Sequence, residues 1–215
     1  MTTRPIGLAP GASEEAAGQD AAKYSTRNPV VLRLIGRWLR VLREVIGPVE
    51  GTVVDVGTGE GLALERILPA GRPVVAVEYR LDKLRAATSR LGGITGLVAD
   101  AGMLPLRSDR GDLVTCIEVL EHLVRPNQAI AELARITRGA CVVSVPWEPW
   151  FRGGNLARFK DVGRLGNNPE HVQQFTPKRL AQALDRSFAT VEVVRCFPWL
   201  VARAQAPRSA VHRDG

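Results

Sequence analysis

The chain has 215 residues, 45% of them hydrophobic and 24% charged, with a net charge of +7. That is enough for one well-buried domain and too little for two comfortable ones. No apolar run nears the ~20 residues of a membrane span, and the N-terminus lacks a signal-peptide core. The positive charge admits an anionic partner such as RNA or a membrane surface. The arginines are scattered, however, and greatly outnumber the lysines, which fits the habit of a GC-rich genome as well as a binding face.

Residues 1–22, rich in Ala, Gly, Pro and Glu, read as a disordered tail. An amphipathic helix is expected at about 29–46, with Val31, Leu34, Ile35, Trp38, Leu42 and Val45 on one side. Next come strand 52–56, helix 60–68, strand 73–78, helix 81–90 and strand 94–99. After the loop at Pro105 follow strand 112–117, helix 126–137 and strand 140–145. Residues 146–173, opened by Pro146 and Pro149, form a Gly/Asn/Arg-rich insertion with little period. A helix at 177–187 and strands at about 190–196 and 199–204 complete a domain spanning 23–204, and 205–215 read as a second disordered tail. The alternation predicts an α/β fold, a Rossmann-like doubly wound seven-stranded sheet with helices on both faces and ligands at the carboxyl ends of its strands. Cys116, Cys141 and Cys196 fall in apolar strand runs without metal-type spacing, as buried thiols of a reducing cytoplasm would.

The stretch Val53-Val54-Asp55-Val56-Gly57-Thr58-Gly59-Glu60-Gly61 joins a buried strand to a helix start through a turn whose glycines let a ligand approach bare backbone. A dinucleotide site wants G-x-G-x-x-G and a pyrophosphate. Here the glycines alternate, and Asp55 and Glu60 would repel a pyrophosphate while suiting the cationic ammonium of S-adenosylmethionine (SAM). Glu78, at the end of the second strand, is placed to accept two hydrogen bonds from a ribose diol. Asp100, at the end of the third, is placed to bond an adenine amino group, with Met103 and Leu104 walling the base.

Glu118, Glu121 and His122 follow the fourth strand at i, i+3 and i+4, and share one face if the segment turns helically. Two carboxylates and an imidazole suit Mg²⁺ or Mn²⁺ better than zinc. His171, in the loop after the fifth strand, is a fourth candidate on the same rim. A cation there would orient an attacking hydroxyl and stabilise developing alkoxide. An imidazole, ordinarily near pKa ~6.5, would take the proton.

Asp55-x-Gly57-x-Gly59-x-Gly61, Glu78, Asp100 and Ile117-Glu118-Val119-Leu120-Glu121-His122 together resemble the ordered motifs of class I SAM-dependent methyltransferases of the type 11 kind, from about residue 30 to 204. The resemblance implies a donor site of Asp55, Gly57, Thr58, Gly59, Gly61, Glu78, Tyr79, Asp100, Ala101, Met103 and Glu118. Tyr24, with Arg27, lies where related folds close an N-terminal helical lid over the methionine carboxylate. Glu118-x-x-Glu121-His122 with His171 and then Phe175-Thr176 is similar to two metal-dependent groups, the ubiquinone-biosynthesis O-methyltransferases and the enzymes that methylate the terminal 2′-hydroxyl of small RNAs. This implies metal ligands Glu118, Glu121, His122 and His171, and catalytic roles for His122, Glu118 and His171.

The segment from Pro146 through Trp147 and Trp150 to Asn155, with Gly166 to His171, looks like methyltransferases of polysaccharide and glycolipid assembly, among them the actinobacterial enzymes of methylated-mannose polysaccharides. The expected function is thus metal-assisted O-methylation of a saccharide vicinal diol. The alternatives are an RNA 3′-terminal ribose, a catechol-like quinone precursor, a metal-free His122 base, and a SAM-binding partner protein without chemistry of its own. A cytoplasmic location and a homodimer are compatible with the sequence, Trp147 and Trp150 equally suit plain packing, and His212 has no assigned role.

Overall fold

The computed structural model describes residues 24–147 and 173–208. The elements in chain order are α1 (Pro29–Ile46), β1 (Val53–Val56), α2 (Leu62–Ile67), β2 (Val74–Glu78), α3 (Leu81–Leu91), β3 (Ile94–Val98) and β4 (Gly111–Ile117). A 3₁₀ turn (Leu120–His122), α4 (Pro126–Ile136), β5 (Thr137–Pro146), α5 (Pro177–Asp185), β6 (Phe188–Cys196) and β7 (Trp199–Pro207) follow. The strands form one seven-stranded sheet in the order β3-β2-β1-β4-β5-β7-β6. The first five are mutually parallel, and β7 runs antiparallel between β5 and β6. The order reverses between β1 and β4, which opens a crevice beyond their carboxyl ends.

Alternation along the strands divides the core between two faces. Val54, Val56, Val114, Cys116, Cys141 and Val143 pack beneath α4 and α5 through Ile130, Leu133, Leu180 and Leu184. Val53, Leu113, Val142 and Val201 pack on the other face beneath α1 and α2 through Ile35, Trp38, Leu42, Leu64 and Ile67. Both sides of the central strands are therefore apolar, as buried parallel strands require. The expected burying face of α1 is present, with Leu39 and Ile46 added to it. Asn28 caps this helix by accepting from the Val30 and Val31 amides. The three cysteines are free and buried.

Several boundaries differ from expectation. The helix expected to reach residue 137 ends at Ile136, and β5 starts at once with Thr137 rather than near 140. Thr137 is fully buried, and its hydroxyl donates to the Leu133 carbonyl at 2.6 Å, which ends the helix without a connecting loop. Strand β7 runs to Pro207 rather than 204 because Gln205 and Pro207 still have partners on β5 and β6. The tails at 1–22 and beyond 208, His212, and the insertion from 148 to 172, with Trp150, Asn155 and His171, lie outside the described residues. Trp147 lies within them and packs against the core, its amide donating to the Pro198 carbonyl at 2.9 Å, with the Arg195 guanidinium 6.0 Å from its ring centre.

Candidate functional site

The β1–α2 turn is held shut by backbone bonds. The Gly57 and Thr58 amides both donate to the Val77 carbonyl of β2, at 2.7 and 3.1 Å. Gly57 has φ +78°, and a Cβ added there would lie 2.2 Å from Val119 Cγ2, so both conformation and space require glycine. Gly61 has φ +78° as well, and a Cβ there would press on Leu91 of α3 at 2.9 Å.

Asp55 sits in β1 with 5% exposure. Its cross-strand neighbour Thr115 donates to Oδ1 at 2.5 Å. Burial pushes its carboxyl up to about 6, against the opposing pull of the Thr115 and Thr58 hydrogen bonds, with the nearby Glu78 charge adding to the rise. Glu78 is buried at the end of β2, and its two oxygens accept from the Gly59 amide at 2.8 Å and the Arg80 amide at 2.9 Å. One carboxylate thus fastens the glycine turn to the start of α3. Tyr79, half-buried, follows it in the chain.

A cavity open to solvent lies over this turn. Asp55, Gly57, Thr58, Gly59 and Glu60 form its floor, Leu62 and Ala63 its α2 side, and Ile117 and Glu118 its β4 side. Tyr24 closes the remaining edge, with the Arg66 guanidinium 4.5 Å over its ring. Helix α1 itself is core, and the segment preceding it reaches the cavity.

The third-strand residues behave unevenly. Asp100 is set in a tight turn, accepting at Oδ1 from the Gly102 amide at 2.7 Å and at its carbonyl from the Met103 amide. Met103 is 74% exposed, whereas Leu104 is buried in the core, not a wall for a base, because its amide bonds Glu132 at 2.7 Å and turns the side chain inward. Ala101 packs at the core rim.

The second constellation departs from the expected helical face. Glu118 has φ +56°, in the left-handed region, and only Leu120–His122 turn helically, as 3₁₀. Glu118 Oε1 accepts from the Trp199 indole N–H at 2.6 Å, while Glu121 is 1% exposed, buried within the fold. His122 is half-buried, its amide bonded to the Val119 carbonyl. Among the described residues no three acidic, histidine or cysteine side chains cluster as metal ligands would. Glu118 is turned out of the expected helical register and has one oxygen tied to an indole, and His171, the fourth expected ligand, lies outside the described residues. Sequence reasoning also passed over Leu62, Ala63 and Trp199. The first two looked like ordinary helix residues, and Trp199 lies 81 positions from its partner, so no local pattern marks it.

This strand order, with acidic strand tips around a glycine turn, is the Rossmann-like fold of SAM-dependent methyltransferases. Residues 54–143 match the family described as "Methyltransferase domain". The chain is 33% identical over 135 residues to a demethylmenaquinone methyltransferase of Renibacterium salmoninarum, a match covering 61% of this chain and 57% of that protein. It is 27% identical over 207 residues to a Mycobacterium tuberculosis protein classed among the SAM-dependent methyltransferases, covering 87% and 73%. The solved magnesium protoporphyrin IX methyltransferase of Synechocystis PCC 6803, with bound S-adenosylhomocysteine, superimposes with a TM-score of 0.62 at 18% identity, covering 89% of this chain and 93% of that one.

Proposed function

We propose that the chain binds SAM in the β1–β4 crevice and transfers its methyl group to a hydroxylated small molecule. The observation that carries this reading is the acidic cavity over the glycine turn. A buried carboxyl at Asp55, raised to about 6, is stabilised in its charged form by an arriving cation. SAM supplies an electrophilic methyl on a sulfonium, and the remaining work belongs to the chain. Asp55 receives the ammonium, the Gly57–Gly59 backbone admits the methionine portion, and Glu78 keeps the turn in place beside the ribose. Glu118 lines the β4 side of the same cavity. His122, four positions on, takes the acceptor's proton, so that a neutral hydroxyl becomes a competent nucleophile. No step is routed through a metal. Turnover is expected to persist in EDTA, and loss of turnover with return on added Mg²⁺ would bring the metal and His171 back.

The acceptor we assign is a molecule with adjacent or paired hydroxyls. The saccharide reading rests on the 146–155 segment, most of which lies outside the described residues. A specific observation favours a second reading, the 33% identity to a demethylmenaquinone methyltransferase. A reduced quinone also carries two hydroxyls, and proton removal from one makes either oxygen or a ring carbon nucleophilic. One screen decides: labelled SAM with oligosaccharides, reduced demethylated quinones, catechols and RNA ends, the product's methylated atom read by mass spectrometry. Absence of SAM binding by calorimetry would end both readings.

A further inference from the structure

The cavity wall contains a contact that the methyl-transfer reading does not by itself require. Glu118 follows β4 in a left-handed conformation, φ +56°, which a side-chain-bearing residue adopts only under strain. Its amide is bonded to the Ser144 carbonyl of β5 at 2.8 Å. Its Oε1 accepts from the Trp199 indole N–H at 2.6 Å. Trp199, 4% exposed, is the first residue of β7 and stacks on Trp38 of α1 with ring centres 4.9 Å apart and planes 20° apart. Trp38, fully buried, donates in turn to Ser144 Oγ at 2.9 Å, and that hydroxyl donates to the Leu200 carbonyl at 3.1 Å. The carboxylate in the cavity wall is therefore gripped through an indole that a second indole holds in plane. An indole N–H only donates, so a proton on Glu118 must sit on Oε2.

We infer that Trp199 is a positioning residue for donor binding: it fixes the Glu118 carboxylate in the cavity wall, where it faces the positive charge of the sulfonium donor. This rests on the SAM reading above. The strain at Glu118 has a use in this light, since a left-handed residue after β4 turns its side chain across to β7 and the cavity together.

The test uses the full chain and three variants: Trp199→Phe, which keeps a ring on Trp38 and loses the N–H; Glu118→Gln; and the double variant. Tryptophan-labelled protein is examined by NMR, the Trp199 indole proton being assigned by its loss in W199F. A downfield indole proton that moves upfield in E118Q is expected, and an indole signal indifferent to E118Q overturns the inference. Calorimetry with SAM is expected to show about tenfold or greater weakening in W199F, the order of a lost hydrogen bond to a charged group. The double variant should bind no worse than E118Q alone, because Trp199 acts through Glu118. W199F binding within about twofold of wild type, or fully additive losses, overturns the inference while leaving the SAM reading intact. If W199F does not fold, the Trp199 indole proton is assigned by triple-resonance NMR and E118Q decides: SAM affinity within about twofold of wild type overturns the inference. A wild-type chain that takes up no SAM overturns the donor reading itself.

Discussion

Asp55 concentrates the tension between stability and ligand binding in one side chain. Its folded pKa, about 6, lies above the ordinary 3.8, so the native state holds the proton more tightly than the unfolded chain. The stability it lends is complete below the ordinary value and lost as pH rises through about 6. By linkage the whole loss is about 3 kcal/mol. Asp55→Asn should therefore raise the melting temperature of the ligand-free chain at pH 8 and flatten its pH dependence between 4 and 6.5, as thermal melts would show. The same change should remove SAM binding. In the wild type, affinity should strengthen as pH rises through about 6, with proton release seen by calorimetry in buffers of differing ionisation heat. Gly57→Ala places a methyl group 2.2 Å from Val119 in a left-handed turn. It should cost upwards of about 1 kcal/mol in denaturant melts and weaken SAM binding. His122→Ala, by contrast, is expected to spare SAM affinity and lower kcat by about 10²-fold or more.

At the scale of elements, α1 shows how a helix on one face of the sheet serves a site at its end. Its Asn28 cap precedes a buried Trp38 and Leu42, and Tyr24 stands just before the cap at the cavity edge. Asn28→Ala should cost about 1 kcal/mol of stability and, by loosening the preceding turn, weaken SAM binding by a smaller factor than Asp55→Asn; paired melts and titrations check it. The helix was legible in the sequence because its apolar residues repeat at helical spacing. The β1–α2 turn was legible because alternating glycines and a flanking acid are a local signal. Glu118 was not, since nothing marks a glutamate for a left-handed conformation when no glycine stands there, and a helical continuation kept the i, i+3, i+4 pattern plausible. Thr137 hid the start of β5 for a related reason: a single hydroxyl bond to Leu133 replaced the loop that usually separates helix from strand.

At the scale of the molecule, the sheet explains why the site is where it is. Asp55, Glu78 and Glu118 lie in or just after three neighbouring strands, and parallel direction alone brings those ends to one rim. Strand β1 is buried along its whole length, while β3 at the sheet edge is largely open. Amide hydrogen exchange should accordingly be slowest in β1, β4 and β5 and fastest in β3, and SAM should add protection at Gly57–Gly59. Uniform exchange across the sheet would contradict the layered core. No described helix is long and apolar enough to cross a membrane.

The 81-residue separation between Glu118 and Trp199 bears on the birth of the protein. A chain emerging from the ribosome carries the glycine turn and its acidic neighbours early, yet the indole that holds Glu118 arrives only with the closing hairpin beside β5. Competence for the sulfonium ligand then becomes a late checkpoint of synthesis, and a product cut short before that hairpin would keep the motif and lack the grip.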